Sequence, residues 1–354
     1  MPGVTGYEKA GERVYAAFGE IMLRLSPPGN ERLLQSPGLQ ATFGGGESNV
    51  LASLAIHGLS ARFLSVLPDN DLGRAALRNL RGYGVDVSMV SLRKGARMGV
   101  YFMEKGASQR PSRVIYDRAH SAISEIAPGD IDWRAALAGC GWFHITGITP
   151  ALSRGAADES LRAIEAARAS GCTVSCDLNY RAALWNYGAS ARDVMPRLAA
   201  LADVIIANEE DCQKALGIGT ALDPSGGKLD HARYGELAAE VIGAYPNVRL
   251  AAITLRESVS ASHNRWGACV SDGKGAFFSR TYDISPIVDR VGGGDSFAAG
   301  LIFGLSMLGT REEALEYAVA ASCLAHSIEG DVNLASPAEI RALLEGDASG
   351  RIKR

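Results

Sequence analysis

Short apolar runs bounded by turn residues alternate with longer segments of helical period, and this alternation constrains the fold more than any other feature of the chain. The strand-like runs are 14–18, 62–67, 142–146, 173–177, 203–207 and 250–254; helical patterns cover 47–57, 72–83, 155–170, 191–201, 209–216 and 234–244. Such units bury their strands on both faces, so they predict an α/β fold with a mainly parallel central sheet covered by helices on either side. Two stretches, 31–43 and 96–118, break the rhythm with mixed apolar and polar residues. They are expected to be extra strands inserted into the core and pairing as a small β lid. The last third turns helical at 296–307, 311–326 and 337–344. One domain over 13–345 is expected, with polar tails at 1–12 and 346–354, the second of them disordered.

A chain of 354 residues that is 47% hydrophobic can bury a large core, and its net charge of −3 comes with scattered rather than clustered Lys and Arg. No basic patch for nucleic acid or anionic lipid is present, which favours small-molecule partners. The first twelve residues hold no apolar run, and apolar stretches elsewhere break off well before a spanning length. A cytoplasmic protein is expected. The six cysteines lack the paired CxxC spacing of a zinc or redox site, so they read as reduced core thiols. His144, in an apolar run, reads as a satisfied core imidazole, and no structural metal is implied.

The chemistry-bearing segments are two glycine triplets. In the late one, Asp289-Arg290-Val291-Gly292-Gly293-Gly294-Asp295-Ser296-Phe297, the glycines open directly into a helical pattern. Free backbone N–H groups and the positive end of a helix can hold a phosphate there, with Asp295 beside it. The plainer reading is a tight turn with Asp295 as a helix cap, worth about 1 kcal/mol. In the early one, Thr42-Phe43-Gly44-Gly45-Gly46-Glu47-Ser48-Asn49-Val50, Asn49 stands where a dinucleotide fingerprint needs its third glycine. An amide that both donates and accepts suits a hydroxyl-bearing ligand instead.

Together and in this order, the two segments resemble the ribokinase-like (PfkB) carbohydrate kinases, in which the early motif binds sugar and the late one binds phosphate and deprotonates the acceptor. The likeness extends over 14–344 and includes Gly19-Glu20, Asp177-Leu178-Asn179-Tyr180-Arg181 and Asn208-Glu209-Glu210-Asp211. It implies a three-layer α/β/α core, a cleft under the lid, and ATP with Mg²⁺ as cosubstrates, a monovalent cation being a further candidate. Asp295 would be the catalytic base, with Gly292, Gly293 and Gly294 donating N–H groups to the transferring phosphoryl. Gly44, Gly45 and Asn49 would bind sugar, and Asn208, Thr254, Gly292 and Gly294 the nucleotide. Asp211 matches a family position tied indirectly to the metal, with Asp in place of Glu. A homo-oligomer is expected.

The chain also departs from the family pattern. Arg290 stands where Thr is usual, and the T-L-G-x-x-G nucleotide segment reads Thr254-Leu255-Arg256-Glu257-Ser258-Val259, without its glycines. Within the family the likeness is greatest to 2-keto-3-deoxygluconate kinases, through residues 19–26, Tyr116-Asp117-Arg118, 177–181 and 289–295. Arg24 replaces an Asp that binds hydroxyls in fructokinase-like relatives. A carboxylate-bearing acceptor calls for such planar cationic donors. Arg24, Arg118 and Arg181, with Tyr101 and Tyr116, are therefore the expected sugar-acid contacts. With 29 arginines in the chain, each alone could equally be a surface charge. The alternatives are a kinase for a neutral ketose or another keto sugar, or a non-catalytic sugar-binding regulator on the same fold.

Overall fold

The structure, a computed structural model, describes residues 13–219 and 231–346. The proposed tails 1–12 and 346–354 lie outside it, apart from Gly346. The first half of the chain runs β1 (Val14–Phe18), β2 (Met22–Ser26), β3 (Gln40–Gly44), α1 (Gly46–Ile56), β4 (Ser60–Leu64), β5 (Val66–Pro68), α2 (Asp71–Gly82), β6 (Ser91–Arg93), β7 (Val100–Glu104), β8 (Arg113–Asp117), α3 (Trp133–Ala136), β9 (Cys140–Thr146) and α4 (Arg154–Ala169). The second half runs β10 (Thr173–Asp177), α5 (Ala191–Ala199), β11 (Val204–Ala207), α6 (Glu209–Asp211), α7 (His231–Ala244), β12 (Leu250–Ser260), β13 (His263–Ser271), β14 (Ala276–Phe278), β15 (Tyr282–Ile284), α8 (Gly293–Met307), α9 (Arg311–Ala325) and α10 (Pro337–Leu344).

The main sheet has the order β14-β13-β12-β11-β10-β9-β1-β4, with β15 on β13, and is parallel from β4 through β12. Period-two alternation sorts its side chains into two cores. Tyr15 and Ala17 of β1 pack with α1, α8 and α9 on one face; Ala16 and Phe18 pack with α4, α5 and α7 on the other. The result is the expected three-layer arrangement. Five of the six cysteines are buried and all are free, and His144 donates to or accepts from Ser175 Oγ at 2.9 Å. No helix among the described residues is long and apolar enough to cross a membrane.

The second sheet, β3-β2-β7-β8, is built from the two irregular stretches together with β2, which the periodicity did not single out. The chain reaches it directly from β1, so this sheet hangs over the end of the main one. Other boundaries also differ from expectation. The run 62–67 is split between β4 and β5, and β5 leaves the main sheet to pair with β6. The helix expected over 209–216 is one turn of α-helix followed by a π-helical turn at Cys212–Leu216. The strand expected over 250–254 continues to Ser260, because the segment without its glycines stays extended and pairs antiparallel with β13.

Candidate active site

The C-terminal ends of β1, β9, β10 and β11 point toward one cavity of about 740 Å³ under the small sheet. Two glycine turns meet across it. Gly292 precedes α8 with φ of 79°, and a Cβ there would lie 1.9 Å from the Asp331 carbonyl oxygen, so both backbone and space demand glycine. The N–H groups of the first turn of α8 have no partners within the helix, and a Cβ on Gly294 would meet nothing within 4 Å. An anion can therefore reach the dipole end. Gly45 lies equally close to its neighbours, a Cβ there falling 1.9 Å from the Glu20 carbonyl oxygen.

Asp295 does not cap α8; the cap is Gly292, without a side-chain bond. Its Oδ2 instead accepts from Asn49 Nδ2 at 2.7 Å, while Asn49 Oδ1 accepts the Gly45 N–H at 3.2 Å. One buried amide thus ties the early turn to the late carboxylate, and both its ends are committed to protein. Burial pushes the Asp295 carboxyl up to about 6, the Asn49 bond opposing, Asp331 adding and Arg181 opposing. At neutral pH it is ionised, and its proton affinity suits a general base.

Under the small sheet, Gly44, Gly45, Asn49, Tyr101, Tyr116 and Arg118 line the cavity, and Arg181, in the loop after β10, lines it where its charge lowers the proton affinities of Asp177, Asp211 and Asp295. Arg118 is buried; its Nε donates to Glu20 Oε2 at 2.9 Å, and its guanidinium lies 5.4 Å from the centre of the Tyr116 ring. Arg181 is exposed to the cavity, and its Nη1 donates to the neighbouring Tyr180 carbonyl at 2.8 Å. Arg24 does not belong with them. It is 2% exposed and does not line the cavity; its guanidinium is spent on Asp289 and Asp331, each at 2.5 Å, and on Ser26 Oγ at 2.9 Å. Tyr101 donates its hydroxyl to Asp331 as well.

Sequence reasoning missed Asp331, whose only local signal is the Gly330-Asp331 turn, and passed over Glu47 within the glycine motif. Asp331 lines the cavity and wedges between the two turns: a Cβ on Gly44 would fall 2.0 Å from its Oδ2. Glu47 accepts from Thr146 N at 3.0 Å, Thr146 Oγ1 at 2.8 Å and Thr149 Oγ1 at 2.9 Å, and burial pushes its carboxyl up to about 7.

At the far end stand Asn208, Asp211 and Thr254, with Arg256, Glu257 and Arg290. Asn208 and Asp211 form a reciprocal cap: Asp211 N donates to Asn208 Oδ1 at 2.8 Å and Asn208 N to Asp211 Oδ2 at 3.0 Å. Asp211 Oδ1 takes the Tyr180 N–H at 2.8 Å, and burial raises its carboxyl to about 6. Asp177, raised well above the usual range by burial and by Asp211 and Asp295, lies between the ends. No group of three or more metal-ligating side chains occurs among the described residues.

The profile of the pfkB family carbohydrate kinases matches residues 14–338. The chain belongs to that family. It is 34% identical to a 2-dehydro-3-deoxygalactonokinase of Haloferax volcanii, over 94% of this chain and 97% of that one. It is 31% identical to a 2-dehydro-3-deoxygluconokinase of Thermoproteus tenax, over 93% of each. Among solved structures, a 2-dehydro-3-deoxygluconokinase of Thermotoga maritima is 46% identical, covers 96% of this chain and all of that one, and superposes with a TM-score of 0.88.

Proposed function

We propose that this carbohydrate kinase transfers the γ-phosphoryl group of ATP to the terminal hydroxyl of a six-carbon 2-keto-3-deoxy sugar acid, 2-keto-3-deoxygluconate or its galactonate epimer. The observation that carries the reading is Asp295 at the mouth of the glycine turn, held by Asn49 and facing a cavity that Arg118 and Arg181 also line. Relatives and structural neighbours named for both epimers support the acceptor class.

In this mechanism Arg118, Arg181 and Tyr116 hold the acid end, and the far hydroxyl approaches Asp295. Asp295 accepts the hydroxyl proton as the oxygen attacks phosphorus; the bond to the bridging oxygen breaks and ADP leaves. The N–H groups of Gly292, Gly293 and Gly294 face the charge developing on the phosphoryl oxygens, where fixed dipoles contribute most. Mg²⁺ would be carried on the phosphates, since the described residues offer no carboxylate cage, with Asn208 and Asp211 ordering its waters; bound there, it would neutralise phosphate charge. Thr254 borders the nucleotide end.

The test is a coupled ADP-release assay over both keto-deoxy acids, gluconate, fructose and ribose. The keto-deoxy acids should show the highest kcat/KM by at least about tenfold. A neutral sugar preferred over both would refute the acceptor class, and no ADP release with any sugar would refute the kinase reading.

A further inference from the structure

Two arginines depart from the general family pattern, Arg256 in the segment without its glycines and Arg290 after Asp289, and the fold brings them together. β12 runs extended through Arg256, which pairs in register with Trp266 of β13. Thr254, Arg256 and Ser258 alternate onto the strand face that borders the cavity, next to Gly292 and Gly294. The Arg256 guanidinium is exposed there and has no side-chain hydrogen bond or salt bridge among the described residues, its charge acting on the Glu209 carboxyl and on Arg290. Arg290, by contrast, is fully engaged: its Nε donates to the Ala261 carbonyl at 2.9 Å and its Nη2 to the Ser260 carbonyl. It thereby fastens the β12–β13 turn to the glycine loop that opens α8. The same turn is held from above, Ala261 N donating to Ser108 O at 2.7 Å and Ser108 N to Ser262 Oγ at 3.0 Å. The two guanidinium groups are close enough that Arg256 adds to the burial that lowers the proton affinity of Arg290. Like charges converging on the dipole end of a helix make a site for a polyanion.

We propose that Arg256 is a nucleotide-binding residue that grips the polyphosphate of the donor, in a segment where the general family pattern has glycines, and that Arg290 is the positioning residue that aims it. The proposal rests on the kinase reading above. Removing one charge-assisted contact of this kind weakens binding about 10- to 100-fold.

The experiment compares wild type with Arg256→Gln, Arg256→Lys, Arg290→Thr and the double variant Arg256→Gln/Arg290→Thr, using the full chain. Arg256→Gln should raise KM for ATP about 10- to 100-fold and weaken calorimetric binding of ADP and of inorganic tripolyphosphate by a similar factor. KM for the sugar acid should stay within about twofold, which also reports that the variant is folded, and Lys should recover most of the loss. Arg290→Thr should quicken amide exchange at 258–262 and raise KM for ATP, and the double variant should be little worse than Arg256→Gln alone. Unchanged KM for ATP in Arg256→Gln, with sugar turnover intact, would overturn the role of Arg256 and leave the kinase standing. Additive losses in the double variant would overturn the aiming role of Arg290. A wild type that binds neither ADP nor tripolyphosphate would sink both this proposal and the kinase reading.

Discussion

A carboxylate in the first turn of a helix is ordinarily acidified by the dipole, yet Asp295 has its proton affinity raised to about 6 because burial outweighs the Asn49 bond and the charge of Arg181. Only the ionised form can take a proton, so kcat/KM should fall about tenfold per pH unit below about 6 and level off above it. Asn49→Leu removes the bond that lowers this value, so the acid limb should move to higher pH. Glu47 titrates nearby, at about 7, but all three of its bonds go to Thr146 and Thr149; Glu47→Gln should leave the limb in place. Asp295→Asn should cut turnover about 10²- to 10⁴-fold while ADP binding changes little. Near wild-type turnover in that variant would remove Asp295 as the base. Its place was readable in the sequence because the glycines, the helix start and the carboxylate are contiguous. The Asn49 bond was not, since it spans 246 residues of chain.

At the scale of elements, β2 is the strut that joins the small sheet to the late glycine turn. Its Arg24 reaches Asp289 and Asp331, 265 and 307 residues away, and those separations explain why the sequence suggested a substrate contact instead. Asp289 in turn holds the loop, its Oδ1 accepting the Val291 N–H at 3.1 Å. Arg24→Met leaves two buried carboxylates without their cation and should destabilise the fold by about 3–5 kcal/mol. Burial already holds the Asp331 carboxyl above its ordinary value against the opposing charge of Arg24, so without Arg24 it rises further, and the penalty of ionising it is small near the unfolded value of about 4 and grows as pH rises. The melting-temperature deficit should thus be larger at pH 8 than at pH 5; a deficit independent of pH would argue against the buried-charge account. The hairpin β7–β8 is the element we propose moves as a lid over the sugar, excluding water from transfer. Its amide exchange should slow when sugar acid and a non-hydrolysable ATP analogue are both present, and no change would count against closure.

At the scale of the whole molecule, the parallel α/β core was legible because strand and helix periods are local signals, whereas β14 and β15 are three-residue pieces and β13 is placed by antiparallel pairing with a β12 that continues past Thr254. The same limit applies to selectivity, which depends on two arginines that the fold treats differently. Arg118 is buried against Glu20, so truncating it alone would strand a buried carboxylate and blur folding with binding. Arg181 is free of that difficulty, being exposed to the cavity with its Nη1 on the neighbouring Tyr180 carbonyl. If it meets the substrate carboxylate or keto oxygen, Arg181→Ala should cost about 2–4 kcal/mol, or a 30- to 1,000-fold loss in kcat/KM for 2-keto-3-deoxygluconate. Arg181→Lys should recover only part, because an ammonium restores charge without the planar fork. Residual activity on fructose should change far less, since fructose offers no carboxylate. For Arg118, the cleaner variant is Arg118→Met with Glu20→Gln, which removes both charges together and should lose the acid preference without a matching loss of melting temperature. Equal losses on acid and neutral acceptors in Arg181→Ala would mean that this arginine orders the cavity wall rather than reading the acid group.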